Sequence, residues 1–233
     1  MRSLRLARLD ARLQLRQGFY AAYALVSAAY IALLRALPDE AGVTLAPLVI
    51  FSDPAVFGFF CAGALLLLER DEGVHAALFT TPARPAEYVL ARMASLSLLA
   101  LLTSFAIALG AGIRFEPVRL GTGVALTASL FTAIGTVAGC RSTTFNRFAV
   151  GGGLSIVVLA FPLPVYLGWF DAAPLAVLPS YASLVLIGGA YGLAPAGAAT
   201  AAFATTWLLL CCAAAFVAAR RAVERHLVHG IPA

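Results

Sequence analysis

The residues of this chain that could do chemistry are few, and most of them stand in one stretch. Glu69-Arg70-Asp71-Glu72-Gly73 leads to Val74-His75 and Phe79, then to Thr81-Pro82, Glu87-Tyr88 and Arg92, with long apolar blocks on both sides. Consecutive ionisable residues cannot stay in hydrocarbon, because each Asp or Arg near the centre of a span costs roughly 2.5–3.5 kcal/mol. Glu69 therefore marks a membrane surface. Beyond it, helical spacing puts Val74, Ala77 and Leu78 on one side and Glu72, His75, Ala76 and Phe79 on the other. A helix from Asp71 to Phe79 would be about 13 Å long at roughly 1.5 Å per residue, too short to stand alone in water. It reads as a short helix held against a membrane domain on one face and offered to a soluble partner on the other. A solvated hairpin without a partner is the competing reading.

The rest of the chemical inventory excludes more than it offers. All 16 Lys+Arg residues are arginine, so the chain has neither a phosphate-loop lysine nor a Schiff-base lysine. His75, His226 and His229 fall outside the long apolar runs, which leaves no intramembrane Ser–His pair. There is no HExxH and no close carboxylate pair within a span. Cys61, Cys140, Cys211 and Cys212 lie in or beside apolar runs without metal-site spacing and read as packing residues. No catalytic residue, metal or cofactor is expected in this chain, and no nucleic-acid partner. Asp53 is different, since Ser52-Asp53-Pro54 interrupts an apolar run at roughly 24 Å from Glu69. Either it caps a helix beginning at Pro54, with 47–51 irregular, or it faces a cavity and binds a cation or proton.

Composition says what must hold these residues. With 62% hydrophobic and 12% charged residues, the 233-residue chain carries apolar runs that only a bilayer can accommodate. The expected fold is an all-α integral membrane protein, a single transmembrane domain over 1–233 with six transmembrane helices. Residues 1–18 carry Arg2, Arg5, Arg8, Arg12 and Arg16 on one face with leucines on both flanks, which suits an interfacial helix, although Asp10, Gln14 and Gln17 form a second polar strip. Spans are expected at 19–37, within 45–68, and at 85–112, 120–140, 148–170 and 197–219. Gly135 and Gly139 have the small-xxx-small spacing that lets helices approach closely. Residues 171–196 are too apolar for a loop, yet Pro174, Pro179, Gly188, Gly189 and Gly192 break them into pieces too short to cross. A re-entrant pair of half-helices fits, held at membrane depth by protein or a water-filled cavity.

Six spans place the amino terminus, the 69–92 segment, the 141–147 loop and the carboxyl tail on one side, with five, three, two and three arginines. The other side has Arg35, Arg114 and Arg119. The positive-inside rule makes the first side cytoplasmic, with both termini, and the 171–196 segment extracellular. Abundant Ala and Arg without Lys suit a GC-rich bacterial genome, hence a multi-pass protein of the bacterial inner (plasma) membrane. With enzyme chemistry excluded, transport remains.

The charged stretch Glu69 to Gly73 closing span two, then Thr81-Pro82 and Glu87-Tyr88 entering span three with Arg92 behind them, resembles the membrane subunits of type-2 ABC transporters. Residues 8–20 and 82–92 are most similar to the small permeases of fluoroquinolone or multidrug export, and the resemblance covers most of the chain. It implies two permease subunits, as a homodimer or heterodimer in membrane lipid, and two ABC ATPase subunits that hold ATP and Mg. The short helix after span two would be the coupling helix, seated in a groove of the ATPase. On that resemblance Glu69, Arg70, Asp71, Glu72, Gly73, His75 and Phe79 serve ATPase coupling. Thr81, Pro82, Glu87 and Arg92 serve span entry, and Asp53, Pro179 and Tyr181 the path or its cap. Val74-His75 departs from the Thr-Leu-Glu common after this glycine, so contacts made by that glutamate do not carry over. The expected function is ATP-driven export of drugs or amphiphilic compounds. Haem, lipid-linked glycan or peptide are alternative cargoes, and an ion-coupled carrier using Asp53 or a scaffold without transport are readings of another class.

Overall fold

The computed structural model describes residues 18–74, 84–160, 163–168, 177–193 and 197–228, which form helices and no strand. Helix α1 (Phe19–Ala36) ends at Leu37-Pro38, and Asp39 and Glu40 open α2 (Asp39–Ser52), where carboxylates favour the positive end of the helix dipole. A wide turn of π geometry, Asp53–Phe57, joins α2 directly to α3 (Gly58–Asp71), so that Asp39–Asp71 is one 33-residue rod. This corrects two expectations. Residues 47–51 are regular, with Pro47 inside α2, and Asp53 caps no helix, since Ser52 and Asp53 both have right-handed helical backbone and no side-chain cap bond forms. A proline lacks an N–H and crowds the turn before it; widening that turn to π geometry takes up Pro54 without ending the rod.

Next come α4 (Pro85–Ala111) and α5 (Pro117–Arg141), each with proline at its first position, where the absent N–H has no intrahelical partner to lose. They are followed by α6 (Phe145–Ala160), the short α7 (Leu163–Tyr166), α8 (Pro179–Ala190) and α9 (Ala198–Val223), which continues through a second wide turn, Glu224–Val228. The last helix therefore outruns the expected end at 219 and carries its arginines inside it. Arginine is a good helix former, and Arg220 Nε reaches Glu224 one turn on at 2.8 Å.

Among the described residues, four helical stretches are long and apolar enough to cross a membrane: Asp39–Asp71, Pro85–Ala111, Pro117–Arg141 and Ala198–Leu227. Helices α1, with 18 residues, and α6, with 16, are shorter. The core is built on α5, which packs against α3, α4, α8 and α9. Two thirds of its apolar window (67%) is buried, against 17% for the last helix, which presents most of its surface outward. Glycines set the α3–α5 distance. A Cβ at Gly135 would fall on the Phe59 carbonyl, and one at Gly139 would stand 2.9 Å from the Gly63 Cα, so the small-residue spacing serves packing within the subunit. Helix α8 is too short to cross and is buried along most of its length against α5, α9 and α2. Trp207 Nε1 donates to the Val177 carbonyl just before it, at 2.9 Å. The partner half-helix of the expected re-entrant pair and the expected interfacial helix at 1–18, except Gly18, lie outside the described residues, apart from Val177 and Leu178.

Candidate functional site

The site grows from one row of α4. Tyr88, Arg92, Leu96, Leu99, Thr103 and Ile107 recur at helical spacing and are all buried. Tyr88 and Arg92, one turn apart on that row, meet Glu69 on the last turn of α3. Tyr88 donates its hydroxyl to Glu69 Oε2 at 2.6 Å, and Arg92 Nη2 donates to Glu69 Oε1 in a close ion pair. Arg92 Nη1 also donates to the Ala62 carbonyl at 3.3 Å, and its guanidinium carbon lies 5.1 Å from the centre of the Tyr88 ring, within cation–π range. Glu69 is 3% exposed and Arg92 1%. Breaking such a buried pair from one side costs about 3–5 kcal/mol. The cluster thus locks the end of α3 to the start of α4.

Arg70 turns the other way. Its Nη1 donates to the Ser142 carbonyl at 2.8 Å and its Nη2 to the Cys140 carbonyl at 3.3 Å, placing a cation on the open carbonyls at the end of α5. Asp71, Glu72 and Gly73 are exposed. The expected helix from Asp71 to Phe79 is interrupted at its start: Asp71 is the last residue of α3, and Gly73 takes a φ of +70°. Glycine meets that left-handed conformation without a Cβ clash, the usual way a helix stops. The connection proper therefore begins at Glu72 rather than 69. Glu69 faces inward, between α3 and α4. His75, Phe79, Thr81 and Pro82 lie outside the described residues. Of the expected span-entry residues, Arg92 joins the cluster, whereas Glu87 turns to the helix start, its Oε2 accepting from the Arg84 N–H at 3.0 Å.

Asp53 is fully buried at the π turn, and Thr103 Oγ1 donates to its Oδ2 at 2.5 Å. Among the described residues no hydrogen bond reaches Oδ1. Thr103 also lines a lateral groove of about 430 Å³ between α1 and α4, whose walls include Tyr23, Ser27, Leu99 and Leu102. Pro179 opens α8 and Tyr181, its third residue, is half-buried. Among the described residues no group of three or more His, Cys, Asp or Glu side chains could hold a metal ion.

Residues 1–231 match the Fluoroquinolones export permease protein family. The chain belongs to that family. Over 186 residues it is 26% identical to the fluoroquinolones export permease protein of Mycobacterium tuberculosis strain CDC 1551 / Oshkosh, spanning 79% of this chain and 78% of the relative. The same figures hold for the counterpart from strain ATCC 25618 / H37Rv. The long apolar helices agree with a multi-pass membrane permease rather than an enzyme.

In the permease, the described residues of the cluster join helices to one another. Two successive residues of α3, Glu69 and Arg70, bind its end to α4 and to α5. Thr103 is the member that reading residue by residue passes over, while Tyr88 is named in the motif but given no role there. The signal for both was present, because they share the four-residue spacing of Arg92 and the apolar row behind it.

Proposed function

We propose that this permease is the membrane half of an ATP-driven exporter of drugs or amphiphilic compounds, driven by a separate ABC ATPase that holds ATP and Mg and docks from the cytoplasm on the connection between α3 and α4. The observation that carries this reading is the buried Glu69–Tyr88–Arg92 cluster, with Arg70 clipped to α5. A connection anchored in this way passes a push to three helices together, and the exposed Asp71-Glu72-Gly73 turn is available to a partner. The name of the Mycobacterium tuberculosis relatives supports a drug cargo. In the full proposal α1, α6 and its continuation complete six spans, α8 is one half of the re-entrant cap, and substrate moves between two permease copies.

The test is purification with the cognate ATPase. Glu72→Arg combined with Phe79→Ala should abolish assembly or transport-stimulated ATP hydrolysis; if both survive, the coupling assignment is wrong. Cysteine cross-linking across the subunit interface tests the path, which a transport-competent monomer would contradict. A second reading draws on Asp53, whose Oδ1 is buried with no hydrogen bond among the described residues. An ion-coupled carrier would show pH-gradient-driven flux without any ATPase, lost in Asp53→Asn.

A further inference from the structure

At the arginine-rich end of the bundle, α5 and α9 leave a pocket of about 220 Å³ between them. Arg141, Arg221, Arg225 and His226 form its rim, and Val137, Ala218 and Ala222 its floor. The acid closest in sequence, Glu224, does not line it; its carboxylate is held by Arg220 at 2.8 Å. The Cys140 and Ser142 carbonyls at the end of α5 are likewise occupied, by Arg70. Cationic groups therefore converge on a cavity with no acid among the described residues of its wall. The positive-inside rule accounts for arginines at this end of the spans. It does not account for their gathering around an alanine floor.

A second observation extends the pocket toward the apolar part of the bundle. Leu210, Ala214, Val217, Arg221 and Arg225 are all exposed and follow one another at three- or four-residue steps along α9, with the exposed Ala218 beside Val217. They make one outward stripe that is apolar from Leu210 to Ala218 and cationic from Arg221 onward. The wide turn at Glu224–Val228 brings Arg225 and His226 to the same rim as Arg221.

We propose that this pocket binds the headgroup phosphate of an anionic phospholipid, whose acyl chains lie along the apolar stripe of α9. Basic pockets between spans on the cytoplasmic side suit anionic headgroups. A folded partner would bury roughly 20–30 residues a side, far more than the seven that line the pocket, and the stripe has no use for a free anion. The proposal rests on the membrane-spanning character of α5 and α9 and not on ATPase coupling, so the two stand or fall separately.

The test uses the full-length permease purified in detergent, titrated with dioleoylphosphatidylglycerol or dioleoylphosphatidylcholine and read by native mass spectrometry. Phosphatidylglycerol should bind preferentially. An arginine beside an anionic headgroup contributes about five-fold in affinity, so Arg221→Gln with Arg225→Gln should weaken phosphatidylglycerol binding about 25-fold and leave phosphatidylcholine unchanged. Arg221→Lys with Arg225→Lys should keep most of the preference. Ala218→Leu fills the exposed floor without changing charge and should also weaken phosphatidylglycerol binding, which keeps the test open if the glutamine pair misfolds. Wild-type retention in either the glutamine or the leucine variant overturns the proposal. So does displacement of the lipid by inorganic phosphate at equal concentration, which would mark a free-anion site. Loss of a co-purifying ATPase in the glutamine variant, with lipid preference intact, would mark a protein dock instead.

Discussion

Replacing Arg92 with methionine keeps most of the side chain's bulk and removes the guanidinium that the buried Glu69 carboxylate pairs with. Truncating one side of a buried, hydrogen-bonded ion pair costs about 3–5 kcal/mol. At roughly 2–4 °C per kcal/mol for a chain of this size, the apparent melting temperature in detergent should fall by about 6–20 °C. Glu69→Met alone should be equally damaging, since it removes the carboxylate that the guanidinium pairs with and the acceptor of the 2.6 Å bond from Tyr88. The informative variant is the double one. With both charges gone and apolar bulk in their place, the penalty for an unpaired charge disappears, and buried pairs so replaced are often neutral or more stable. What remains is the Tyr88 hydroxyl, and adding Tyr88→Phe removes that as well. The double and triple variants should therefore melt above either single one, a strong departure from additivity. Intrinsic fluorescence follows the transition, the chain having 2 Trp and 7 Tyr residues. Single variants within about 0.5 kcal/mol of the wild type, the ordinary range for surface changes, or a double variant equal to the sum of the singles, would refute the account of the cluster as a buried lock.

Gly135→Leu should abolish a monodisperse peak in size-exclusion chromatography, because a Cβ there meets the Phe59 carbonyl, while Gly151→Ala, with nothing within 4 Å of its added Cβ, should elute as the wild type; equal behaviour would contradict the close α3–α5 contact. Arg70→Gln gives up charge-assisted bonds to the last carbonyls of α5, about 1.5–3 kcal/mol, and should speed amide hydrogen exchange around 138–142; unchanged exchange there would show the clip to be inconsequential. Thr103→Val removes the 2.5 Å donor to Asp53 and should lower the melting temperature by several degrees, whereas Thr103→Ser should restore it; identical melting of the two variants would mean that the hydroxyl does not matter.

Where apolar runs meet charges or prolines, the order of residues locates the helices well. Pro85 and Gly112 bracket α4 as expected, because proline at a first helical position and a left-handed glycine after the last are local signals that need no tertiary contact. Asp53-Pro54 was misleading for the opposite reason. Proline in a sequence signals a break, but a rod packed against α5 and α8 can keep its axis by widening one turn, and that choice depends on neighbours far along the chain. Arginines 220, 221 and 225 misled in the same way, since charge signals the end of the membrane and not the end of the helix. The charged motif was legible, but its division of labour was not. Glu69 and Asp71 look alike as letters, yet one is buried between helices and the other is exposed, a difference set by helix rotation.

That rotation bears on how a push from below would travel. On the proposed reading, an ATPase bears on a connection whose two ends differ sharply in strength. Allosteric coupling energies are typically about 1–3 kcal/mol, below the roughly 3–5 kcal/mol needed to disrupt a buried pair such as Glu69–Arg92. The lock should then transmit the load rather than yield to it. An exposed pair such as Arg220–Glu224, worth at most about 1 kcal/mol, could not serve in that position. The compliant point is the Glu72-Gly73 turn, where no described residue lies near the Cβ position of Gly73 and its left-handed backbone lies outside α3. Bending at Gly73 with rigidity at Glu69 makes α3 and α4 move as one body, and Arg70 extends that body to α5. On the proposed reading, an exporter built in this way would need no charged chemistry in its spans to respond to nucleotide, only a buried acid placed one turn before a glycine.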